Sequence, residues 1–487
     1  MTLAYSNTKN ISSFSEALLK LQGMIGYLES KQAQELEHGA IESYIHDEGH
    51  EVLRKLLQGF LDEKATNEER KTVYSADKVQ LTHLKTAQSR NLESVFGQVT
   101  VKRNSYSQRH QPSQFPMDAE LNLPNDKYSD GLRARAVAEA IRGSYDDAVT
   151  SIDSTTGGHI PKRQTMQVIQ DVAQDFDDYY FQKRYIHPED TRDLLVITTD
   201  AKGIVMQPNS LRDCTKKAAK KQKLKGRLSA GEKKDRKRMA QVASVYTTKA
   251  CPRTAESIMQ RSEESNVHGF RVPPRNKRVW ASLKKDSESV IEDAFLEALQ
   301  RDPEQKRQWI VLVDGHPHQM KQVNRVAKKH NVTVTIILDF IHVLEYLWKA
   351  AWCLFDKGDE LVEEWVENKA LEILRGKASQ VAKGLGICAT KRRLVNRENI
   401  DKCRRYLLKN KKQLEYGIAL ECGYPIASGV IEGACRHLIN DRLDITGARW
   451  SLDGAEAILR LRSVKSSGDL QDYWNFHKQQ AKQRLYG

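Results

Sequence analysis

The chain has 487 residues, 29% of them charged, a formal net charge of +14 and an isoelectric point near 9.2. That length holds roughly two to four domains, and the basic excess points to a polyanionic partner, nucleic acid first. Seven cysteines, odd in number and never spaced Cys-x-x-Cys, exclude a disulfide framework and a zinc knuckle and suggest reduced thiols in the cytoplasm.

Met1-Thr-Leu-Ala-Tyr lacks a basic stretch followed by an apolar one, so no secretory leader is expected. Residues 1 to about 92 are expected to be helical, because Leu53, Leu56, Leu57, Phe60 and Leu61 recur at helical spacing. Val95 to Arg103 suggests a short hairpin with its turn near Gly97, and Pro112 to Pro124 a linker. Three helices follow: Ser129 to Arg142, Tyr145 to Thr155, and one opened by Pro161 after Gly157-Gly158. Helix, glycine-containing turn and helix make a helix-turn-helix pattern, which an ordinary bundle also satisfies. In the last helix Lys162, Arg163, Gln164 and Gln167 come early and would be exposed; Met166, Ile169, Val172 and Ala173 would face inward.

Two later stretches share one form. Leu194-Leu-Val-Ile-Thr-Thr-Asp200 and Gln308-Trp-Ile-Val-Leu-Val-Asp314 are apolar runs ending in aspartate. Such runs suit strands buried on both faces, whose carboxyl ends are where open α/β sheets carry functional groups. Between them lies the most basic run, Lys216 to Arg238, including Lys217, Lys220, Lys221 and Arg236. It reads as a solvated loop or as a phosphate-contacting arm. An alternating stretch, Met239 to Thr248, suggests a strand, and Asp286 to Gln300 an amphipathic helix.

Beyond Asp314, a helix is expected from Lys321 to His330, a buried strand from Val332 to Asp339, and a helix from Ile341 to Phe355. The window from Val332 to Phe355 is the most apolar, but Asp339, His342, Glu345 and Lys349 make it unfit for a membrane span. Residues from about 356 to 423 are charged and helix-rich, an insertion or a separate helical domain. Ser428 to Asn440 reads as a helix with Glu432 in its first turn, and Gly454 to Val464 as another.

Magnesium takes hard oxygen ligands and a few carboxylates, leaving positions for water and phosphate. Two such ions can activate the attacking oxygen and stabilise the leaving one. Asp200 and Asp314 meet the strand-end requirement, and Glu432 could reach in from a flanking helix. Singly, each aspartate serves equally well as a helix cap.

These residues carry a resemblance. The chain is similar to the DDE transposases of bacterial insertion sequences, the ISKra group most closely. The matching blocks are Phe96-Gly-Gln-Val, Tyr128-Ser-Asp-Gly-Leu, Thr199-Asp-Ala-Lys-Gly, Val313-Asp-Gly, Leu338-Asp-Phe-Ile-His, and Ser428-Gly-Val-Ile-Glu-Gly-Ala-Cys-Arg-His through Trp450-Ser. Ala201 stands where the family pattern leads one to expect glycine.

The resemblance implies an α/β RNase H-like catalytic core with a helical insertion, preceded by mostly α-helical N-terminal and helix-turn-helix-like domains. The boundaries are 1–115, 116–185, 186–355 with a basic insertion at about 210–238, 356–423, and 424–487. Asp200, Asp314 and Glu432 would be catalytic and hold two Mg2+ ions, or Mn2+ in their place. His342 would contact DNA or orient a carboxylate, unless it is a core histidine; Asp339 would cap the helix that follows. Beside Lys162, Arg163, Gln164 and Gln167, DNA would be contacted by Lys216, Lys217, Lys220, Lys221, Arg236, Arg238, Arg442, Arg449 and Trp450. The partners implied are double-stranded DNA, as terminal inverted repeats and target, and further copies of the chain, at the nucleoid and without a membrane. The alternatives are a domesticated DNA-binding protein and an RNase H-fold nuclease.

Overall fold

The computed structural model describes residues 13–183, 188–221, 236–259, 272–356, 358–445 and 447–486, side chains excepted at 219–221. The chain forms two units, Met1–Asp175 with Gln471–Gly487, and Phe176–Leu470.

The first unit opens with helices α1 (Ser15–Leu28), α2 (Lys31–Gln34) and α3 (His38–Thr66). The expected helix to residue 92 stops there. Strand β1 (His83–Ser94) pairs antiparallel with β2 (Gly97–Gln108), and β2 with β3 (Gln111–Gln114). β1 is polar and mostly exposed along its length, so it gives no alternation to read. Leu92, Val99 and Val101 close a core with Leu61 of α3 and with Met117 and Leu123. Met117 belongs to a short helix, α4 (Pro116–Glu120), where a linker was expected.

The next three helices are α5 (Asp130–Ala140), α6 (Tyr145–Thr155) and α7 (Lys162–Val172). Ser129 caps α5, and Ser144 with Asp147 forms a capping box on α6. Pro161 is the residue before α7 and supplies no side-chain cap. The Gly157-Gly158 pair has a packing reason. A Cβ on Gly158 would lie 2.1 Å from the Ser94 carbonyl oxygen, and one on Gly157 2.5 Å from that of Phe96. The helix trio is thus seated directly on the turn of the β1–β2 hairpin.

The second unit starts with α8 (Phe176–Lys183) and is built around a five-stranded sheet. Its elements in order are β4 (Leu194–Val205), α9 (Asp213–Lys221), β5 (Lys237–Thr248), α10 (Ala255–Met259), β6 (Arg275–Ser282), α11 (Ser287–Arg301), β7 (Trp309–Val313), α12 (Pro317–Lys329) and β8 (Thr335–Leu338). The strand order is β6-β5-β4-β7-β8. β5 is antiparallel to β4 and β6, whereas β7 is parallel to β4 and β8 to β7. Every residue of β7 is buried, as its uninterrupted apolar run requires of a central strand. β4 does not end at Asp200; it runs to Val205, paired with β5 throughout. β6 was missed in the sequence.

Helices α13 (Phe340–Ala351), α14 (Leu361–Leu374), α15 (Ala378–Lys391), α16 (Glu398–Lys409) and α17 (Tyr416–Glu421) follow. They belong to the same unit as the sheet. The Tyr406 hydroxyl donates to the Asp314 carbonyl at 3.0 Å, and that of Tyr416 to the Leu338 carbonyl at 2.8 Å. Helix α18 (Gly429–Cys435) runs into a π-helical turn, Arg436–Asn440, and α19 (Leu452–Ser466) packs on β6.

At the sheet end away from Asp200, Arg278 is buried against the rings of Tyr180 and Trp280, 3.7 and 4.5 Å from their centroids. It donates to Glu297, which also accepts from Arg301 at 2.8 Å. Last comes α20 (Leu470–Tyr486), expected with the catalytic core but nearly all of it part of the first unit. There His477 is buried with its Nδ1 2.6 Å from Asp175, and Tyr486 donates to the Leu123 carbonyl at 2.7 Å. Among the described residues no helix is long and apolar enough to cross a membrane.

Candidate active site

The register of the sheet aligns three carboxylates. Thr198 pairs with Leu312, and two residues further along each strand come Asp200 and Asp314. Val313 pairs with Leu338, and the next residues are Asp314 and Asp339. The Asp339 N–H donates to the Val313 carbonyl at 2.8 Å, so the parallel alignment holds at that point. Neighbouring strands lie about 4.8 Å apart. The sheet edge therefore carries an aspartate on each of three consecutive strands.

The three differ in what holds them. Asp339 is buried; its Oδ1 accepts from the Ile341 N–H at 2.9 Å, and its Oδ2 from the N–H and hydroxyl of Ser428. It caps α13, as its place before that helix implied. Asp200 is half-buried; its Oδ1 accepts from the Ala201 N–H at 2.6 Å and its Oδ2 from the Cys435 thiol at 3.2 Å. Asp314 is also half-buried; its Oδ1 accepts from the His316 N–H at 2.8 Å. Its other oxygen accepts no hydrogen bond among the described residues.

Glu432 stands on α18, which packs on β4 and β5, and three residues on the same helix carries Cys435. Glu432 is exposed and makes no hydrogen bond or ion pair among the described residues. Partial burial raises its carboxyl pKa, as do the charges of Asp339, Asp200 and Glu345, while His342 offsets part of the rise. Burial and the adjacent Asp200 push the Cys435 thiol up as well, keeping it a neutral donor. Half-buried His342 has its Nδ1 4.0 Å from Glu345.

As a donor set these residues suit a hard divalent cation, which needs only one or two carboxylates beside water and substrate oxygens. Even so, no three His, Cys, Asp or Glu side chains among the described residues are grouped closely enough to hold a metal ion. Asp200 and Asp314 share the row; Glu432 is within electrostatic reach of Asp200 without closing on it.

Sequence reasoning missed the supports. Gln319 of α12 donates to both the carbonyl and hydroxyl of Thr199 at 2.8 Å. Tyr406 holds the Asp314 carbonyl and leaves no room beside Gly315, where φ is +88° and a Cβ would meet its ring at 3.0 Å. Only Cys435 had a sequence signal, its spacing from Glu432.

On α7, Lys162, Arg163, Gln164 and Gln167 are all exposed, and Lys162 Nζ lies 2.6 Å from Asp146. Thr165, Val168, Ile169 and Val172 form the buried face. Ala173 is buried just beyond it and Met166 half-buried. In the basic run, Lys217 is exposed and Lys216 lies 3.6 Å from Asp213. The side chains of Lys220 and Lys221 and residues 222–235 lie outside the described residues. Arg236 is half-buried, and half-buried Arg238 donates to the Leu283 carbonyl at 2.9 Å.

Arg449 is exposed, but Arg442 and Trp450 are buried. The Arg442 guanidinium lies 4.8 Å from the Trp450 ring centroid, and the indole N–H donates to the Leu443 carbonyl at 3.0 Å. These two expected DNA contacts are interior packing: both side chains are buried, with the guanidinium against the indole ring and the indole N–H taken by a backbone carbonyl.

The fold and site thus define a mixed α/β protein with an acidic row that crosses three adjacent parallel strands, within β4 at Asp200 and just past the ends of β7 and β8 at Asp314 and Asp339. The model of an uncharacterised protein family, UPF0236, matches residues 31–220. That match takes in the helix trio and Asp200 and stops short of Asp314 and Glu432. Among curated proteins nothing matches the chain.

Proposed function

We propose that the chain is a transposase of a bacterial insertion sequence, with an RNase H-like core that hydrolyses and joins DNA strands. The observation that carries this reading is the equal register of Asp200 and Asp314 on adjacent parallel strands, with the Glu432 helix packed across β4. Numbered by chain order, the sheet runs 3-2-1-4-5 with its second strand antiparallel, the arrangement that an RNase H-like core calls for. The exposed Lys162, Arg163, Gln164 and Gln167 on α7 support a sequence-reading role for the helix trio.

Asp200, Asp314 and Glu432 would hold Mg2+, which supplies an activated water and charge neutralisation at the scissile phosphate. The chain's own part is placement. The Cys435 thiol fixes the Asp200 carboxylate, and the His316 N–H fixes one oxygen of Asp314. That leaves the other Asp314 oxygen and the exposed Glu432 available to the cation. His342 tempers the negative charge around Glu432. Asp339, fully buried and spent on capping α13 and holding Ser428, shapes the row from inside the fold.

The test is cleavage of duplexes carrying the ends of the surrounding element, with Mg2+. Asp200→Asn and Asp314→Asn should each abolish cleavage while DNA binding persists. Full cleavage by either variant overturns the reading.

A further inference from the structure

The helical block α13–α17 carries a long described run of positive charge, away from the run that the sequence singled out. From Lys391 to Lys412, ten of 22 residues are Lys or Arg and two are acidic. Arg397 and Arg404 bracket Asp401 at 2.9 and 3.2 Å, and Lys402 lies 2.6 Å from Glu398. Lys409, Lys411 and Lys412 make no ion pair among the described residues, and all three are exposed.

On α16 the charges are sorted by face. Ile400, Cys403, Tyr406 and Leu407 are buried, whereas Lys402, Arg405 and Lys409, at i, i+3 and i+7, form the opposite stripe in solvent. Beside this stripe, α15 and α16 form an open groove of ≈ 550 Å³ with Lys383, Lys391, Arg397 and Arg404 on its walls. Gly386 lets Arg404 lie across α15, since a Cβ there would come within 2.5 Å of the guanidinium carbon. Glu398 opens this face and pairs with Lys402; beyond it the stripe is cationic only.

We infer that the outer face of α15–α16, continued by Lys411 and Lys412, is a docking surface for the phosphate backbone of duplex DNA. The stripe from Lys402 to Lys409 is about 10 Å long at 1.5 Å per residue. A duplex carries one charge per about 1.7 Å of axis, so the stripe faces roughly six of them. The same helix holds the Asp314 carbonyl through Tyr406 from its buried side. DNA seated there lies one helix diameter, on the order of 10 Å, from the acidic row. The choice of DNA as the polyanion rests on the function proposed above; the surface itself does not.

The test uses the full chain with Arg405→Glu, Lys409→Glu and Lys412→Glu combined, and a random-sequence duplex followed by fluorescence anisotropy across a salt series. Each lost phosphate contact lowers the slope of log K against log salt by about 0.9, so the slope should fall by roughly 2–3. An unchanged melting temperature is expected, because all three side chains are exposed. A cysteine in place of Arg405, carrying a photocrosslinker, should label the duplex. An unchanged slope with no crosslink overturns the inference. So does loss of binding to phosphatidylglycerol vesicles alone with duplex binding intact. If the slope falls while the wild-type chain cleaves no DNA, the docking surface stands and the transposase reading fails.

Discussion

Replacing Tyr406 by Phe removes one oxygen at the junction between the helical block and the acidic row. The ring keeps its place, stacked on Tyr346 with centroids 4.2 Å apart and planes at 19°. What goes is the 3.0 Å hydrogen bond to the Asp314 carbonyl, a net loss of about 0.5–1.5 kcal/mol. At about 2–4 °C per kcal/mol for a unit of this size, melting should fall by roughly 1–6 °C. The effect on chemistry should be larger. Gly315, next to Asp314, has a φ of +88° and packs on the same tyrosine, so the loop loses the hydrogen bond that ties it to α16. A misplacement of the carboxylate by about 1 Å can cost about 100-fold in rate. Mg2+-dependent cleavage and DNA affinity, measured in parallel, should separate, the first falling at least tenfold and the second holding. Tyr416→Phe is the control: it loses a 2.8 Å bond to Leu338, one strand further over, and should cost stability with less loss of cleavage. A Tyr406→Phe protein that melts earlier but cleaves like wild type refutes the idea that the helical block positions Asp314.

Three other outcomes are expected. Burial alone would raise the Glu297 carboxyl, but Arg278 and Arg301 hold it at about 2, against 4.5 unfolded, so its contribution is complete above 4.5 and fades as pH falls towards 2. Glu297→Gln should therefore destabilise the unit by on the order of 3 kcal/mol at neutral pH, and melting curves of the two proteins should converge in acid; parallel curves at all pH refute this. Gly158→Ala should destabilise the first unit by at least about 1–3 kcal/mol, since its Cβ would meet backbone, the Ser94 carbonyl, at 2.1 Å; an unshifted melting transition counts against the fold there. Arg163→Ala should reduce discrimination between terminal and scrambled duplexes by about 1–3 kcal/mol, whereas Lys162→Ala should weaken both alike at fixed salt; an unchanged ratio for Arg163→Ala moves sequence reading elsewhere.

How far the sequence led depended on whether burial was written locally. β7 announced itself because all five residues are apolar, and the end of α6 because a glycine pair follows it. β1 was invisible, since its partners are backbone atoms of β2 and its side chains stay wet. The glycine pair before α7 looked like a turn signal, but its reason is a carbonyl more than sixty residues upstream. Asp200 and Asp314 were found singly by the strand rule; their shared register depends on the β4–β7 pairing, which no local pattern encodes. Arg442 and Trp450 show the opposite error: polar tips in a matching block suggested a surface, and the fold turned them inward.

Helix α20 gives the chain a schedule. Asp175, near the end of one stretch of the first unit, finds its buried partner His477 only after about three hundred further residues have been made. At about 5–20 residues per second, a ribosome needs roughly 15–60 s to supply them. During that interval the second unit can fold while the first still lacks a helix and carries an uncompensated carboxylate. Nascent chains stalled before residue 470 should therefore be protease-sensitive in the helix trio yet protected across the sheet. The part of the molecule that emerges first is the last to mature.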